Sequence, residues 1–469
     1  MTITTILILL AAAIVLRVCM VWGKRRELLL AASVLALFWL QPAISIRGIH
    51  YWFPVFTLGL VILSWINLSS SEQKREKGNI LVIVSLLIAS LAMAATRYIG
   101  LSEYLMAGMP PTILNVLPGL LFLGLLLFLG NRYSKENGKG ISLTFGFILF
   151  LFLILKIPQL SLWASQGLRL LNHQNAGMAG AYDLNWLGFS YIAFRLLHTI
   201  RDRQTGRLQP VSLMDYLIYV IFFPALPAGP IERIERFSSE LSDQLALGAD
   251  DFLMAGQRLA AGLFKKFVLA DSLSLIALTD ERIFQIQGSG WMWLSLIAYS
   301  FMIYFDFSGY TDIAIGLARI LGINLPENFK RPYLQQNLSH FWNNWHITLT
   351  QWFRGYFFNP LTRKLRRDAK QLPAWLMILM PQVFTMLLIG LWHGVTWNFA
   401  LWGLWHGVGS FVQNRWSDWS RRHAYFQFRG VAVINVCLTF LFVSLGWVFF
   451  LSHDVASIQQ AFFVLLRGN

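Results

Sequence analysis

Residues 112–130 read TILNVLPGLLFLGLLLFLG, an apolar run without a charged side chain. A helix needs about 20 such residues to cross the hydrocarbon core of a bilayer. Because some apolar runs will be tilted or broken, the sequence predicts an all-α, polytopic membrane bundle of roughly ten to thirteen spans. The other candidate runs are 3–22, 28–46, 51–68, 79–96, 141–157, 181–199, 213–228, 252–279, 291–321, 373–391, 396–412 and 431–451.

The composition favours a bilayer environment. Of the 469 residues, 56% are hydrophobic and 13% are charged, about half the charged share of a soluble domain. A soluble fold cannot hide so much apolar surface behind so few charges. Since no segment resembles an interdomain linker, we expect residues 1–469 to form a single integral membrane domain. Met1–Thr5 has no basic residue, so we expect a retained first helix rather than a cleaved signal peptide.

The net charge of +15 is distributed in short basic runs between the apolar segments. Lys24–Arg26 and Lys74–Lys77 follow the first and third apolar runs, as the positive-inside rule requires of cytoplasmic loops. These charges therefore indicate membrane topology, with the N-terminus outside, and we expect no nucleic-acid partner.

The segment from Tyr299 to Pro360 is too polar to face lipid and too apolar for an ordinary loop. It places Asp306, Asp312 and His346 among Phe and Trp residues. Polar groups at membrane depth are tolerated only inside protein or along a wet cavity. The segment thus predicts re-entrant or broken helices around a central chamber.

A short repeat follows this segment, since Gly390–Val395 and Gly403–Val408 both read GLWHGV. On one continuous helix, His393 and His406 would lie on nearly opposite faces and about 20 Å apart. We therefore do not expect the two histidines to be a catalytic pair.

Histidine suits proton transfer near neutral pH, and an ionisable side chain inside a membrane is costly enough to suggest function. His346 and His393 are the candidates. The sequence lacks a G-x-S-x-G elbow, a P-loop and an H-E-x-x-H motif. A zinc site built from His346, His393 and His406 would lack an Asp, Glu or Cys at ligand spacing. Cys19 and Cys437 lie inside apolar runs, so no metal site is expected.

Four separated motifs carry a resemblance to a known family. They are FPALPAGPI (223–231), YFDFSGYTD (304–312), FWNNWHITLT (341–350) and LWHG (391–394). Together they resemble the membrane-bound O-acyltransferase (MBOAT) family, in particular the bacterial branch with the membrane subunits of alginate O-acetylation and teichoic-acid D-alanylation. The resemblance covers about residues 90–450.

The resemblance implies that His393 is the catalytic histidine and His346 a second active-site histidine. It also implies a funnel with a cytoplasmic acyl thioester on one side and the acceptor on the other. The candidate substrate-binding residues are Trp342, Asn343, Asn344, Asp306 and Arg354. We expect Asp306 to be buried and paired with an amide or a basic group. Where relatives often have Arg-Asp-Tyr, this chain has Arg354, Gly355 and Tyr356, so a polar contact usual there is missing.

Acyl transfer to a hydroxyl requires a base for the O–H group and a donor for the developing oxyanion. His393 can serve as the base, while His346, Asn343 or Asn344 can orient the substrate or donate. Direct transfer needs no protein nucleophile, although a relay through an acyl-carrying residue stays open. We expect no bound cofactor, with acetyl-CoA or another acyl thioester, such as an acyl carrier protein, as the donor substrate.

A basic run, Arg363, Lys364, Arg366 and Arg367 with Lys370, follows the His346 segment. It is either a topology signal or a cytoplasmic mouth that attracts CoA phosphates or an acidic carrier protein.

Several functions remain open at this point. A transporter or flippase would also carry Asp and His in a polar membrane core. Within acyltransferases, the resemblance favours acetylation of a cell-envelope or exported polysaccharide over D-alanylation of teichoic acid or lipid acylation. The expected partners are the polysaccharide acceptor, an exported esterase-like protein and the lipid bilayer of the cell's inner membrane.

Overall fold

The computed structural model describes residues 2–21, 23–134, 139–243, 248–369, 371–423 and 430–467. These residues form 23 α-helices and no β-strand, which confirms the predicted all-α fold. In chain order, helices α1 to α23 span Ile3–Met20, Arg25–Trp39, Ile49–Leu68, Ser71–Arg75, Lys77–Ala95, Ser102–Leu105, Ile113–Ser134, Lys139–Lys156, Pro158–Leu171, Phe189–Gln204, Leu213–Ile221, Ile234–Ser242, Ala249–Leu263, Asp271–Ser274, Asp280–Gln285, Ser289–Ile320, Leu338–Asn344, Ile347–Phe353, Asn359–Asp368, Ala374–His393, Trp397–Ser420, Val431–Leu451 and Val455–Leu466.

Seven helical segments in the described residues are long and apolar enough to cross a membrane, which indicates a multi-pass membrane protein. Other predicted apolar runs contain shorter helices: α2 has 15 residues and α11 has nine. Such helices are too short to span a bilayer alone. The seven segments are Ile3–Met20, Ile49–Leu68, Lys77–Tyr98, Ile113–Tyr133, Lys139–Lys156, Ala374–His393 and Val431–Leu451.

The chain divides into two compact units. The first comprises Met1–Ala255 and Ala314–Leu325, and the second comprises Gly256–Ile313 and Pro326–Asn469. The expectation of one integral membrane domain stays a prediction.

In the first unit, a buried and a half-buried arginine satisfy the carbonyl groups at the end of a long helix. The last carbonyl groups of a helix have no partner within it. Arg17, which is 1% exposed, donates to the carbonyl of Ile320 at 3.2 Å. Arg25 donates to the carbonyls of Leu321 and Gly322 at 3.3 and 3.1 Å. These guanidinium groups supply the donors that water would supply at a solvent-exposed helix end.

In the second unit, α20 and α21 form an antiparallel hairpin whose chain reverses over residues 394–396. The GLWHGV repeat lies on both sides of this reversal and contributes the glycines of the contact. A Cβ on Gly390 would collide with the carbonyl oxygen of Phe399, and one on Gly403 would lie 2.6 Å from that of Met386. Since lipid supplies no hydrophobic drive between helices, such close backbone approach is a main source of packing energy.

We expect Gly403→Ala to destabilise the protein by about 1–3 kcal/mol, because the methyl group overpacks the hairpin against backbone atoms. The matched control is Gly124→Ala on α7, where an added Cβ meets nothing within 4 Å. The control should be neutral or slightly stabilising, since Ala is the better helix former. Thermal unfolding in detergent measures both, and equal midpoints for the two variants would contradict the packing role of Gly403.

Candidate functional site

The chain breaks between α17 and α18 at Trp345 and His346. His346 has a φ of +43°, in the left-handed region that residues with a Cβ rarely adopt. The next residue begins α18, and the His346 side chain makes no capping hydrogen bond to it. This turn therefore needs support from another part of the chain.

Asn328 supplies that support from a fully buried position. Its Oδ1 accepts hydrogen bonds from the backbone N–H (3.1 Å) and the hydroxyl (2.9 Å) of Thr348. Its carbonyl accepts from the N–H of Ile347 at 2.9 Å. The first N–H groups of a helix have no acceptor within it, so Asn328 acts as the N-cap of α18 and fixes the backbone at His346. Asn328 was not among the predicted site residues, because a cap supplied from a separate segment leaves no local pattern in the sequence.

Three histidines and two tryptophans form a continuous series of ring contacts. The ring centroids of His346 and Trp392 are 6.0 Å apart, and those of Trp392 and His393 are 4.5 Å apart. His393 then lies 5.7 Å from Trp402, which lies 4.9 Å from His406. The structure thus brings His346 and His393 to the same indole, that of Trp392. Their joint action on a substrate stays a prediction.

Aromatic packing holds both candidate catalytic rings. His393 ends α20, is partly exposed, and contacts the rings of Phe399 at 5.9 Å and Phe450 at 4.9 Å. His346 is 3% exposed and packs edge-on against Phe307 of α16 at 4.8 Å. Its Nε2 has no hydrogen-bond partner among the described residues.

The position of His406 corrects the estimate made from the repeat. That estimate assumed one continuous helix, whereas the chain reverses between His393 and His406, and both rings contact Trp402. The separation of about 20 Å that a straight helix gives is therefore wrong. Within the part of the chain that the structure describes, no three His, Cys, Asp or Glu side chains lie close enough to hold a metal ion.

A cavity of about 130 Å³ lies beside this series of rings. Its wall includes two predicted substrate-binding residues, Trp342 and Arg354. On α20 the lining residues follow one face of the helix, and His393 lies one turn beyond Ile389 on that face. The complete lining is Ser339, Trp342, Thr350, Arg354, Phe358, Gln382, Thr385, Met386, Ile389 and Ser410.

Arg354 begins a π-helical turn, Arg354–Phe358, a local distortion often found at functional sites. The exposed guanidinium donates to Oδ1 of Asn343 at 2.6 Å. Among the described residues no carboxylate forms a salt bridge with it. Asn344 belongs to a different set of contacts: its Nδ2 donates to the carbonyl of His340 at 2.8 Å.

Asp306 pairs with a basic group, as expected, but is not buried. It forms a salt bridge with Lys266 while its side chain is 53% exposed. The buried carboxylate of α16 is instead Asp312, which binds Lys265 at 2.6 Å and Arg258 at 3.3 Å. Six residues of helix rotate a side chain by about 600°, so the two carboxylates point away from α16 in different directions.

The predicted basic run forms α19 and is exposed throughout at Arg363, Lys364, Arg366 and Arg367. Of these four, Arg367 pairs with Asp368 at 2.6 Å. Lys370 lies outside the described residues.

Comparison with known proteins adds to this geometry. The sequence model of the MBOAT, membrane-bound O-acyltransferase family matches residues 119–452, which confirms the resemblance found in the motifs. The chain is 34% identical over 272 residues to probable alginate O-acetylase AlgI of Pseudomonas syringae pv. tomato, covering 57% of this chain and 49% of that protein. It is 30% identical over 245 residues to teichoic acid D-alanyltransferase of Streptococcus thermophilus (50% and 58%). It is 34% identical over 255 residues to peptidoglycan O-acetyltransferase of Helicobacter pylori (52% and 45%). The chain thus spans about half the length of these curated relatives.

Removal of the distant cap tests how His346 is held. We expect Asn328→Ala to cost about 0.5–2 kcal/mol, as loss of a helix N-cap does. Asn328→Asp should keep most of the stability, because it preserves the acceptor and a negative charge is favourable at a helix N-terminus. The readouts are the thermal midpoint in detergent and protease cleavage near residues 345–348. If Asn328→Ala has the same thermal midpoint and the same cleavage as wild type, Asn328 does not act as the cap of α18.

Proposed function

Because the chain belongs to the membrane-bound O-acyltransferase family, we propose that it transfers an acetyl group from a cytoplasmic thioester to a hydroxyl of a cell-envelope or exported polysaccharide. The observation that carries the proposal is the contact of His346 and His393 with one indole, beside a largely apolar cavity whose wall includes Arg354. The family match includes both histidines and the cavity.

In the proposed reaction, the acceptor hydroxyl oxygen attacks the carbonyl carbon of the thioester. His393 takes the hydroxyl proton as the new C–O bond forms. The carbon–sulfur bond then breaks, and the proton passes from His393 to the departing thiolate, which leaves as the free thiol. No protein nucleophile is needed, so the mechanism uses the imidazole solely as a base and then as an acid.

His346 has a positioning role in this scheme. The cap from Asn328 fixes its backbone, and Phe307 and Trp392 fix its ring. A ring held in this way presents its open Nε2 without a loss of side-chain entropy when substrate binds.

The donor would enter along the basic helix α19. Ile347–Phe353, Arg354–Phe358 and Asn359–Asp368 follow one another without a break. Arg354 at the cavity and Arg367 near the end of α19 are therefore roughly 20 Å apart along the helix axis. An extended pantetheine arm has a comparable length. The exposed cations of α19 can bind the phosphates of CoA, or an acidic carrier protein, while the thioester reaches the cavity.

D-alanyl transfer is the main alternative within the family, and one relative bears that name. The acyl group of D-alanine carries an ammonium, which needs a carboxylate or several acceptors when buried. No Asp or Glu is among the residues that line the cavity. Acetyl transfer is therefore the favoured reaction, and two of the three relatives described above are named for acetyl transfer.

The acceptor side completes the proposal. The relatives are named for alginate, teichoic acid and peptidoglycan, so a polymer of the cell envelope is the proposed acceptor class. Acetyl transfer to an exported polymer would proceed across the inner membrane, with an exported esterase-like protein as the partner that receives or passes on the group.

The central test is His393→Gln, which keeps a polar side chain and loses the base. We expect the rate of acetyl transfer to fall by about 10²–10⁴-fold, which is the usual effect of removing a general base. The measurement is transfer of labelled acetyl from acetyl-CoA to alginate oligomers, peptidoglycan fragments and lipoteichoic acid in proteoliposomes. His453→Gln is the matched control, because that imidazole is 81% exposed.

Near-normal turnover of His393→Gln would remove the general-base role. Solute flux without consumption of thioester by the wild-type protein would instead identify a transporter. Faster transfer from D-alanyl carrier protein than from acetyl-CoA would replace acetyl by D-alanyl as the donor group.

Removal of positive charge from α19 tests whether this helix binds the acyl donor. We expect Arg363→Gln combined with Lys364→Gln to raise KM for acetyl-CoA by about tenfold, the scale of one charge-assisted hydrogen bond, with kcat unchanged. Added salt should weaken wild-type binding more than binding to the variant. The control is Arg201→Gln combined with Arg207→Gln, two exposed arginines near the end of α10. An equal rise in KM for both pairs would show a general charge effect and not a donor mouth.

A further inference from the structure

Three buried rings beside the cavity have polar nitrogens without a partner. Among the described residues, Trp342 Nε1, Trp402 Nε1 and both ring nitrogens of His406 make no hydrogen bond. The three side chains are 7%, 1% and 0% exposed. Their rings also contact one another: Trp342 lies 5.7 Å from Trp402 and 5.1 Å from His406, and Trp402 lies 4.9 Å from His406.

Such a group of unsatisfied atoms is expensive. Each buried polar group without a partner has lost its hydrogen bonds to water and gained none in exchange, and native proteins contain few such groups. Three such side chains in mutual contact therefore indicate a place where a ligand supplies the missing partner.

The chemistry of the nitrogens limits what that ligand atom is. An indole N–H donates and cannot accept, and a neutral imidazole has one donor and one acceptor nitrogen. The group thus offers three donors against one acceptor. It fits an oxygen with free lone pairs, and it fits best an oxygen on which negative charge develops.

The location connects this group with the proposed reaction. The ring of Trp402 lies 5.7 Å from that of His393, the proposed base. Trp342 forms part of the cavity wall. Since the rings of Trp342 and Trp402 also contact each other, the group connects the proposed base with the cavity wall.

We propose that the indole N–H groups of Trp402 and Trp342, assisted by His406, bind the carbonyl oxygen of the acyl thioester and stabilise the oxyanion. This inference rests on the proposed function. As the hydroxyl oxygen adds to the carbonyl carbon and its proton moves to His393, the carbonyl π electrons move onto that oxygen. They return when the carbon–sulfur bond breaks and the thiolate leaves.

Gly446 on α22 leaves room for the ring of His406. A Cβ at position 446 would lie 2.9 Å from Nε2 of His406 and 3.1 Å from the ring of Trp405. The glycine leaves the imidazole in contact with both indoles, where a larger residue would displace it.

The test replaces the indole of Trp402 by benzothiophene, through genetic incorporation of 3-benzothienylalanine. This change keeps the ring shape and removes the N–H donor. We expect kcat for acetyl transfer to fall by about 10²–10³-fold, as on loss of one oxyanion donor, while KM for acetyl-CoA changes by less than threefold. The same change at Trp342 should act in the same direction.

Trp405 provides the matched control, since it lies on the same helix and its Nε1 donates to the carbonyl of Phe442 at 3.1 Å. The same replacement there removes a satisfied structural hydrogen bond, so it should lower stability slightly and leave kcat within about threefold. An unchanged kcat at Trp402, or equal losses at Trp402 and Trp405, would overturn the proposal.

A binding measurement separates this inference from the proposed function. The probes are a ketone analogue of acetyl-CoA, in which CH₂ replaces the thioester sulfur, and ethyl-CoA, which lacks the carbonyl. Wild type should prefer the ketone by about threefold to tenfold, the value of one net hydrogen bond, and the Trp402 replacement should abolish the preference. Equal binding of both probes to wild type would overturn the carbonyl site, whereas absence of acetyl transfer by wild type with the preference intact would overturn the proposed function alone.

Discussion

The rest of the structure depends on one constraint: inside a bilayer, each backbone N–H and C=O group must find its partner within the protein. Regular helices meet it automatically, and broken helices do not. The break that creates the turn at His346 exposes the first N–H groups of α18, and Asn328 accepts from them. The carbonyls beyond the end of α16 are open in the same way, and Arg25 donates to them. Asn328 and Arg25 thus each compensate a specific irregularity of the backbone.

The glycines of the GLWHGV repeat allow two helices to pack closely. With Gly390 and Gly403 at the contact, the backbones of α20 and α21 approach each other closely. The ring of Trp402 contacts Trp342 of α17 and Trp447 of α22. The repeat therefore provides the same close helix contact on both arms of the hairpin. Because the arms are antiparallel, His393 and His406 both contact the ring of Trp402.

The sequence was sufficient for the parts of this structure that depend on composition and short-range pattern. Apolar runs and scarce charges predicted an all-α membrane protein, and the polar segment after Tyr299 predicted broken helices. The pairing of Asp306 with a base also followed from the cost of an unpaired carboxylate, although its exposure did not. The separate apolar runs 373–391 and 396–412 placed a boundary beside His393, and the structure has the helix end there. The estimated distance between His393 and His406 was wrong because it assumed one continuous helix across that boundary. The cap from Asn328 was not predicted, because the residue it binds, Thr348 of α18, lies 20 positions further along the chain. No local sequence pattern indicates such a pairing.

Buried polar side-chain groups also normally find a hydrogen-bond partner, and several in the described residues do not. Trp342, Trp402 and His406 stand out among these because their rings contact one another beside His393. Natural sequences depart from such rules mainly at functional sites. Donors that are already desolvated and fixed by aromatic packing need no reorganisation when negative charge appears, and in a medium of low dielectric their effect on that charge is large. The same low dielectric that makes these groups destabilising in the resting protein makes them effective on a charged transition state, which is why such a cluster belongs beside the proposed base.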